Sequence, residues 1–131
     1  KVDNSYCMHA KFCFNQNASI RKLITKRSDD NSKVNLSAMV DKCPSGTFVY
    51  ELEVEGQYQE IESDLPKQIV IISADNSEST AGPIWINGKI PIKRADGKPL
   101  ETRNRMTLCR CGESKNKPFC DGSHAKIDFK E

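Results

Sequence analysis

The six cysteines fall into two groups, and that placement limits the chain more than any other feature. Cys7, Cys13 and Cys43 lie in the first third of the sequence, and Cys109, Cys111 and Cys120 near its end. One residue separates Cys109 from Cys111, too little for an easy mutual disulfide and well suited to sharing one metal. The only two histidines, His9 and His124, sit inside these same groups. Histidines scattered through a core or a surface would have no reason to do so. A chain of 131 residues fits one domain or two very small ones, and at 37% hydrophobic it has limited apolar surface to bury. Metal sites are one way to hold such a chain together.

Charge narrows the function classes little. The 20 basic and 18 acidic side chains leave a net charge of +2. No Lys/Arg block marks a nucleic-acid footprint. The longest aliphatic run, Ile69-Val70-Ile71-Ile72, is far too short to span a bilayer. No secretory signal pattern is present in these residues, so the expectation is a soluble, cytoplasmic protein without a membrane partner. In that reducing compartment grouped cysteines bind metal more often than they pair. The chain begins at Lys1 rather than Met, which is compatible with a fragment or a processed product.

The periodicity changes along the chain. Ile20, Leu23 and Ile24 share one face of an expected helix, and Ser28-Asp29-Asp30-Asn31-Ser32 reads as a polar loop with N-cap residues. A second helix is expected from about Lys33, with Leu36, Met39 and Val40 on one face, Cys43 continuing it, and Cys43-Pro44-Ser45-Gly46 ending it. From Phe48 to Ile61 partial alternation around Glu55-Gly56-Gln57 reads as a hairpin. A strand is expected over Lys67–Ser73 and a linker over Asp75–Gly82. Two short strands are then expected to be joined by Asn87-Gly88, with a second turn at Ala95-Asp96-Gly97 and a last strand over Arg103–Leu108. Helices first and strands after imply an α+β fold: a small helical lobe over residues 1–62 and a β-rich lobe over 63–131.

The last cysteine group offers three thiolates and one imidazole, Cys109, Cys111, Cys120 and His124, within sixteen positions. Such donors hold a zinc ion tetrahedrally or a 2Fe-2S cluster with two ligands per iron, and donor type alone does not separate the two. The wording of the segment does. Cys109, Cys111, Ser114, Pro118, Cys120, Asp121, Gly122, Ser123 and His124 fill every fixed position of the pattern that marks the CDGSH iron–sulfur family, which this segment resembles. The resemblance implies a 2Fe-2S cluster with Cys109 and Cys111 on the inner iron and Cys120 and His124 on the outer one. Gly112 and Gly122 suit close backbone approach or positive φ. Pro118 stiffens the loop. Asp121 and Ser123 read as caps of a helix starting near His124. Lys115 and Lys117 read as a solvated loop.

In the first group Cys7 and Cys13 are six apart, Cys43 precedes a proline, and Ala10 stands where bacterial ferredoxins place a middle cysteine. Residues 6–46 resemble the divergent mono-cluster ferredoxins in which that second cysteine is replaced. Three thiolates suit a 3Fe-4S cluster; a 4Fe-4S cluster would need a fourth ligand. His9 is the nearest by type but stands one position off register, and reads instead as a neighbour of the site. Gly82–Ile86 and Arg103–Leu108 resemble the lead-in of bacterial proteins that combine the two halves, with Trp85 as a packing residue. The favoured reading is an electron-transfer protein with redox protein partners; no general acid–base pair, nucleophile triad or phosphate loop appears in the sequence, so no enzyme activity is expected. A cluster carrier serving an apo-acceptor, a redox or pH sensor, and a structural zinc module for protein interaction are the alternatives. Related CDGSH proteins form homodimers or tandem pseudo-dimers around paired clusters; with one such motif in this chain, the resemblance implies either a homodimer or a ferredoxin half that fills the partner's place.

Overall fold

The computed structural model describes residues 1–14, 19–20 and 30–131. Leu23, Ile24, Ser28 and Asp29, on which the first helix and its polar loop were expected, lie outside these residues. A single 3-10 turn covers Asn4–Tyr6, where Asp3 accepts hydrogen bonds from the backbone N–H (3.0 Å) and hydroxyl (2.6 Å) of Ser5. The helix α1 covers Asp30–Asp41, so the chain is already helical about one turn before the expected Lys33. Its apolar positions Met39 and Val40 are buried with Ile20, and Leu36, Phe48 and Tyr50 pack around them. Cys43 follows, with its N–H on the Val40 carbonyl at 2.9 Å.

Strands β1 (Glu51–Val54) and β2 (Gln57–Glu60) form an antiparallel hairpin. Both residues of its two-residue loop, Glu55 and Gly56, have positive φ (52° and 78°), the geometry whose twist matches the flanking strands. Strands β3 (Gln68–Ile71), β4 (Ile84–Asn87) and β5 (Arg105–Leu108) make an antiparallel sheet in the order β3-β4-β5. Ile86 and Met106, paired across β4 and β5, form a core with Tyr6, against which Leu100, Leu108 and Phe119 pack. A one-turn helix, α2 (Ser123–Lys126), closes the chain. The fold is α+β, with few helices and two small antiparallel sheets among the described residues. Among the described residues no helix is long and apolar enough to cross a membrane.

The expected hairpin at Asn87-Gly88 does not form. β4 is the central strand, and β3 and β5 already occupy both its edges. The segment after Gly88 therefore has no edge to pair with, and Pro91 lacks the N–H a ladder would need. Gly88 serves another purpose at φ 79°: a Cβ there would lie 2.5 Å from the Leu65 carbonyl oxygen, so only glycine lets segment 65–67 pass this closely. The chain turns instead around Ala95-Asp96-Gly97, where Arg94 N–H meets the Lys98 carbonyl and Leu100 N–H the Ile92 carbonyl, both at 2.8 Å. The expected linker is a loop as far as Thr80. It ends differently: Ala81 is fully buried, and its N–H bonds the Phe129 carbonyl at 2.8 Å.

Candidate metal centres

The C-terminal cysteines sit on a loop that β5 launches and recaptures. Cys109 N–H donates to the Pro118 carbonyl (2.8 Å) and Cys120 N–H to the Thr107 carbonyl (3.0 Å), so residues 109–120 close back onto the strand. Inside the loop the Ser114 hydroxyl donates to the Phe119 carbonyl (2.7 Å) and accepts from Asn116 N–H (3.0 Å). The N-cap position of α2 is Gly122, not Asp121 or Ser123 as expected, and Asp121 acts as a clamp instead. One carboxylate oxygen accepts from Ser123 N–H and the other from Lys115 N–H, both at 3.0 Å, which ties α2 to the far side of the loop. The hydrogen bonds from Ser123, and then that from Lys115, hold its pKa at about 2, so the clamp is ionised at neutral pH. Lys115 and Lys117 are exposed, as expected.

This frame brings the four donors together as two pairs. Cys109 Sγ and Cys111 Sγ are 3.9 Å apart, and Cys120 Sγ and His124 Nδ1 are 3.3 Å apart. Two donors bound tetrahedrally to one zinc- or iron-sized ion stand about 3.8 Å apart for two thiolates and about 3.6 Å for a thiolate and an imidazole. Each pair therefore fits one metal. Among the described residues no three His, Cys, Asp or Glu side chains converge on a single ion. Burial pushes the Cys120 thiol up to about 11, reinforced by Cys109, Asp121 and Cys111 and opposed by the Gly122 N–H. Three thiols this close ionise together only when a cation lies among them. Burial lowers the His124 pKa, against the charge of Asp121, and favours the neutral imidazole that binds metal.

The first cysteine group surrounds a second site. Two adjoining cavities, of about 510 and 30 Å³, are both lined by Cys7, Cys13 and His9, and Cys43 also lines the smaller one. Ala10 lines that cavity too, so the position of the missing ferredoxin cysteine offers no side-chain donor to the site. His9, exposed and at φ 57°, borders the same space. Burial raises the Cys43 thiol, but hydrogen bonds from the Ser45 side chain and the N–H groups of Phe48, Thr47 and Ser45 outweigh it and lower its pKa. An environment that favours the thiolate through N–H and O–H donors suits a metal–sulfur ligand. The donor sets at both sites therefore fit iron–sulfur groups.

The two sites lie against each other. A Cβ placed on Gly122, at φ 83°, would come 2.7 Å from the Met8 carbonyl oxygen. Trp85 Nε1–H donates to the Pro44 carbonyl at 2.9 Å, so this packing residue joins the sheet to the Cys43 turn. Arg103 reaches the Gly46 carbonyl at 2.6 Å, and Arg105 the carbonyls of Val40 (2.6 Å), Asp41 (2.9 Å) and Cys43 (2.9 Å). The sequence carried one hint of these two anchors, basic residues inside a strand otherwise fit for burial. It carried none for Ser45, whose hydroxyl stands 3.7 Å from Cys43 Sγ.

Comparison with known families agrees with this division. Residues 81–125 match the model described as iron-binding zinc finger CDGSH type, and residues 1–53 match the model described as divergent 4Fe-4S mono-cluster. No curated protein is a significant match. The chain is thus an iron–sulfur protein that joins a divergent mono-cluster segment to a CDGSH-type segment in one polypeptide.

Proposed function

We propose that the protein is a two-centre electron carrier rather than an enzyme. Cys109 and Cys111 hold one iron of a 2Fe-2S cluster, and Cys120 and His124 Nδ1 hold the other. Cys7, Cys13 and Cys43 hold a 3Fe-4S cluster, with Ala10 in place of a fourth ligand. The observation that carries the reading is the division of the four donors into pairs 3.9 and 3.3 Å apart, each fit for one metal, in a segment that matches the CDGSH-type model. Bound iron–sulfur clusters supply one-electron redox couples. The chain's own residues fix the donors: Asp121 clamps the loop, Ser114 braces its interior, and Gly122 N–H points at Cys120 Sγ from 3.4 Å. Redox proteins are the partners, with Lys115 and Lys117 exposed beside the loop to meet an acidic surface. One observation favours cluster transfer as a second reading: His124 borders an open cavity of about 680 Å³, so this ligand lies near solvent.

Iron, sulfide and EPR measurements on protein purified without oxygen test the assignment. The expected oxidised protein shows a near-isotropic signal that Cys43→Ser removes while the C-terminal cluster remains. Zinc in place of iron and sulfide would overturn the reading. A 4Fe-4S count would instead give the first site a non-cysteine ligand. Loss of the visible spectrum to an apo-acceptor, without net reduction, would favour the carrier.

A further inference from the structure

We infer that the two cysteine sites form one electron relay within a single chain, joined where Tyr6 meets Phe119 and Met8 meets Gly122. This rests on the reading that both sites hold clusters. Tyr6 immediately precedes Cys7, and Phe119 immediately precedes Cys120. Their ring centroids are 4.6 Å apart. Tyr6 is buried, and its ring is fixed on two further sides: its hydroxyl donates to Glu101 at 2.9 Å, and the Arg103 guanidinium lies 4.0 Å over its face. The second contact is backbone. Cβ placed on Gly122 would stand 2.7 Å from the Met8 oxygen and 3.6 Å from His9 Cβ, so any other residue would force the loops apart. A third tie, from the Asn116 amide to the Ser5 carbonyl, holds the same loops together.

Electron tunnelling falls off exponentially with separation and crosses packed atoms and bonds better than gaps. Here residues next to a proposed ligand at each site touch directly, with no gap between them. One electron leaves the centre held by Cys7, Cys13 and Cys43, which is oxidised by one unit, and enters the centre held by Cys109, Cys111, Cys120 and His124, which is reduced by one. The reverse step balances in the same way.

The test uses the full chain, purified without oxygen and reduced with dithionite, when both centres are paramagnetic. EPR power saturation of the C-terminal signal is compared with that of Cys43→Ser. The expected half-saturation power is several-fold higher in the parent, with broadened or split lines that the variant loses. Identical saturation and line shape, with iron counts showing both centres in the parent, would overturn the relay alone. Iron for a single centre would overturn the relay together with the reading beneath it, so the counts separate the two failures. Flash reduction then assigns the route. Redistribution between the two visible spectra is expected at a rate independent of protein concentration, slowed several-fold by Phe119→Leu and restored by Phe119→Tyr. A rate unmoved by Phe119→Leu would overturn the ring contact as the route.

Discussion

Arg105 donates to the carbonyl of Cys43 at 2.9 Å, from a strand that ends one residue before Cys109. The same guanidinium takes the carbonyls of Val40 and Asp41, which close the helix α1 and have no partner within it. A second nitrogen pairs with Glu62, whose side chain is largely buried, while that of Arg105 is fully so. A buried cation at a helix C-terminus is favoured by the helix dipole. One strand therefore fixes both cysteine groups, the second through the chain and the first through a side chain.

Replacing Arg105 with Met is expected to cost about 3–5 kcal/mol, because it leaves the largely buried Glu62 without its cation, removes a charged donor from the Val40 and Cys43 carbonyls and takes the Asp41 carbonyl's donor away. Chemical denaturation of the loaded protein measures this. The iron signal of the first site should weaken before that of the second, since Cys43 loses its anchor. Arg105→Lys keeps the charge but not the fork, and should recover only part of the loss. A cost below about 1 kcal/mol for Arg105→Met would mean that the carbonyls find water instead.

The cysteine motifs, the Glu55-Gly56 hairpin, the buried face of α1 and the turn at Ala95-Asp96-Gly97 were all legible because each is a local pattern. The seam between the halves was not. Trp85 meets Pro44 across 41 positions and Arg105 meets Cys43 across 62, and no periodicity reports on such pairs. Asn87-Gly88 misled for a related reason. Its turn chemistry is sound, but the strand it should have paired with was already flanked on both sides. Asp121 was read as a cap because Ser123 is near in sequence, whereas its second partner, Lys115, is reached only once the loop has closed.

Tyr50 should set an alkaline edge to stability. Its hydroxyl donates to the Ser37 carbonyl and to Asp41 at 3.1 Å. Burial, then the hydrogen bond and charge of Asp41, push its pKa from 10.0 up to about 12. The unfolded chain releases this proton first, so the stabilisation is whole below pH 10 and is lost as pH rises through about 12. Absorbance titration should show a tyrosine ionising near that upper value. Tyr50→Phe should remove this component from the titration and flatten the fall of stability over the same window. An unchanged profile in the variant would assign the late proton to Tyr6, whose pKa is raised by burial and by Glu101.

Trp85→Phe should be mild. It leaves the Pro44 carbonyl without its indole donor at a half-buried position, which costs about 1 kcal/mol. Urea midpoints of the loaded protein measure the loss, and both EPR signals should persist. Disappearance of the first site's signal would show that the bond to Pro44 holds the neighbouring Cys43 in ligand geometry and is more than packing.

His124→Cys should lower the potential of the C-terminal cluster and flatten its dependence on pH. Three thiolates and a neutral imidazole leave the site one negative charge short of what four thiolates give, so it accepts an electron more readily. Its potential should lie above the roughly −400 mV of plant-type ferredoxins. Nδ1 faces Cys120, which leaves Nε2 on the opposite edge of a partly exposed ring to exchange a proton with solvent. Added negative charge raises the proton affinity of that nitrogen. Electron uptake then brings proton uptake, and the potential falls as pH rises within the coupled range. At lower pH a proton competes with iron for Nδ1 itself, so acid should release the cluster. Redox titrations at several pH values and the decay of visible absorbance in acid follow the two effects. The cysteine variant should show a lower, flatter potential and slower acid loss. If potential, slope and lability all match the parent, His124 is not a ligand, and the pair it makes with Cys120 is only a contact.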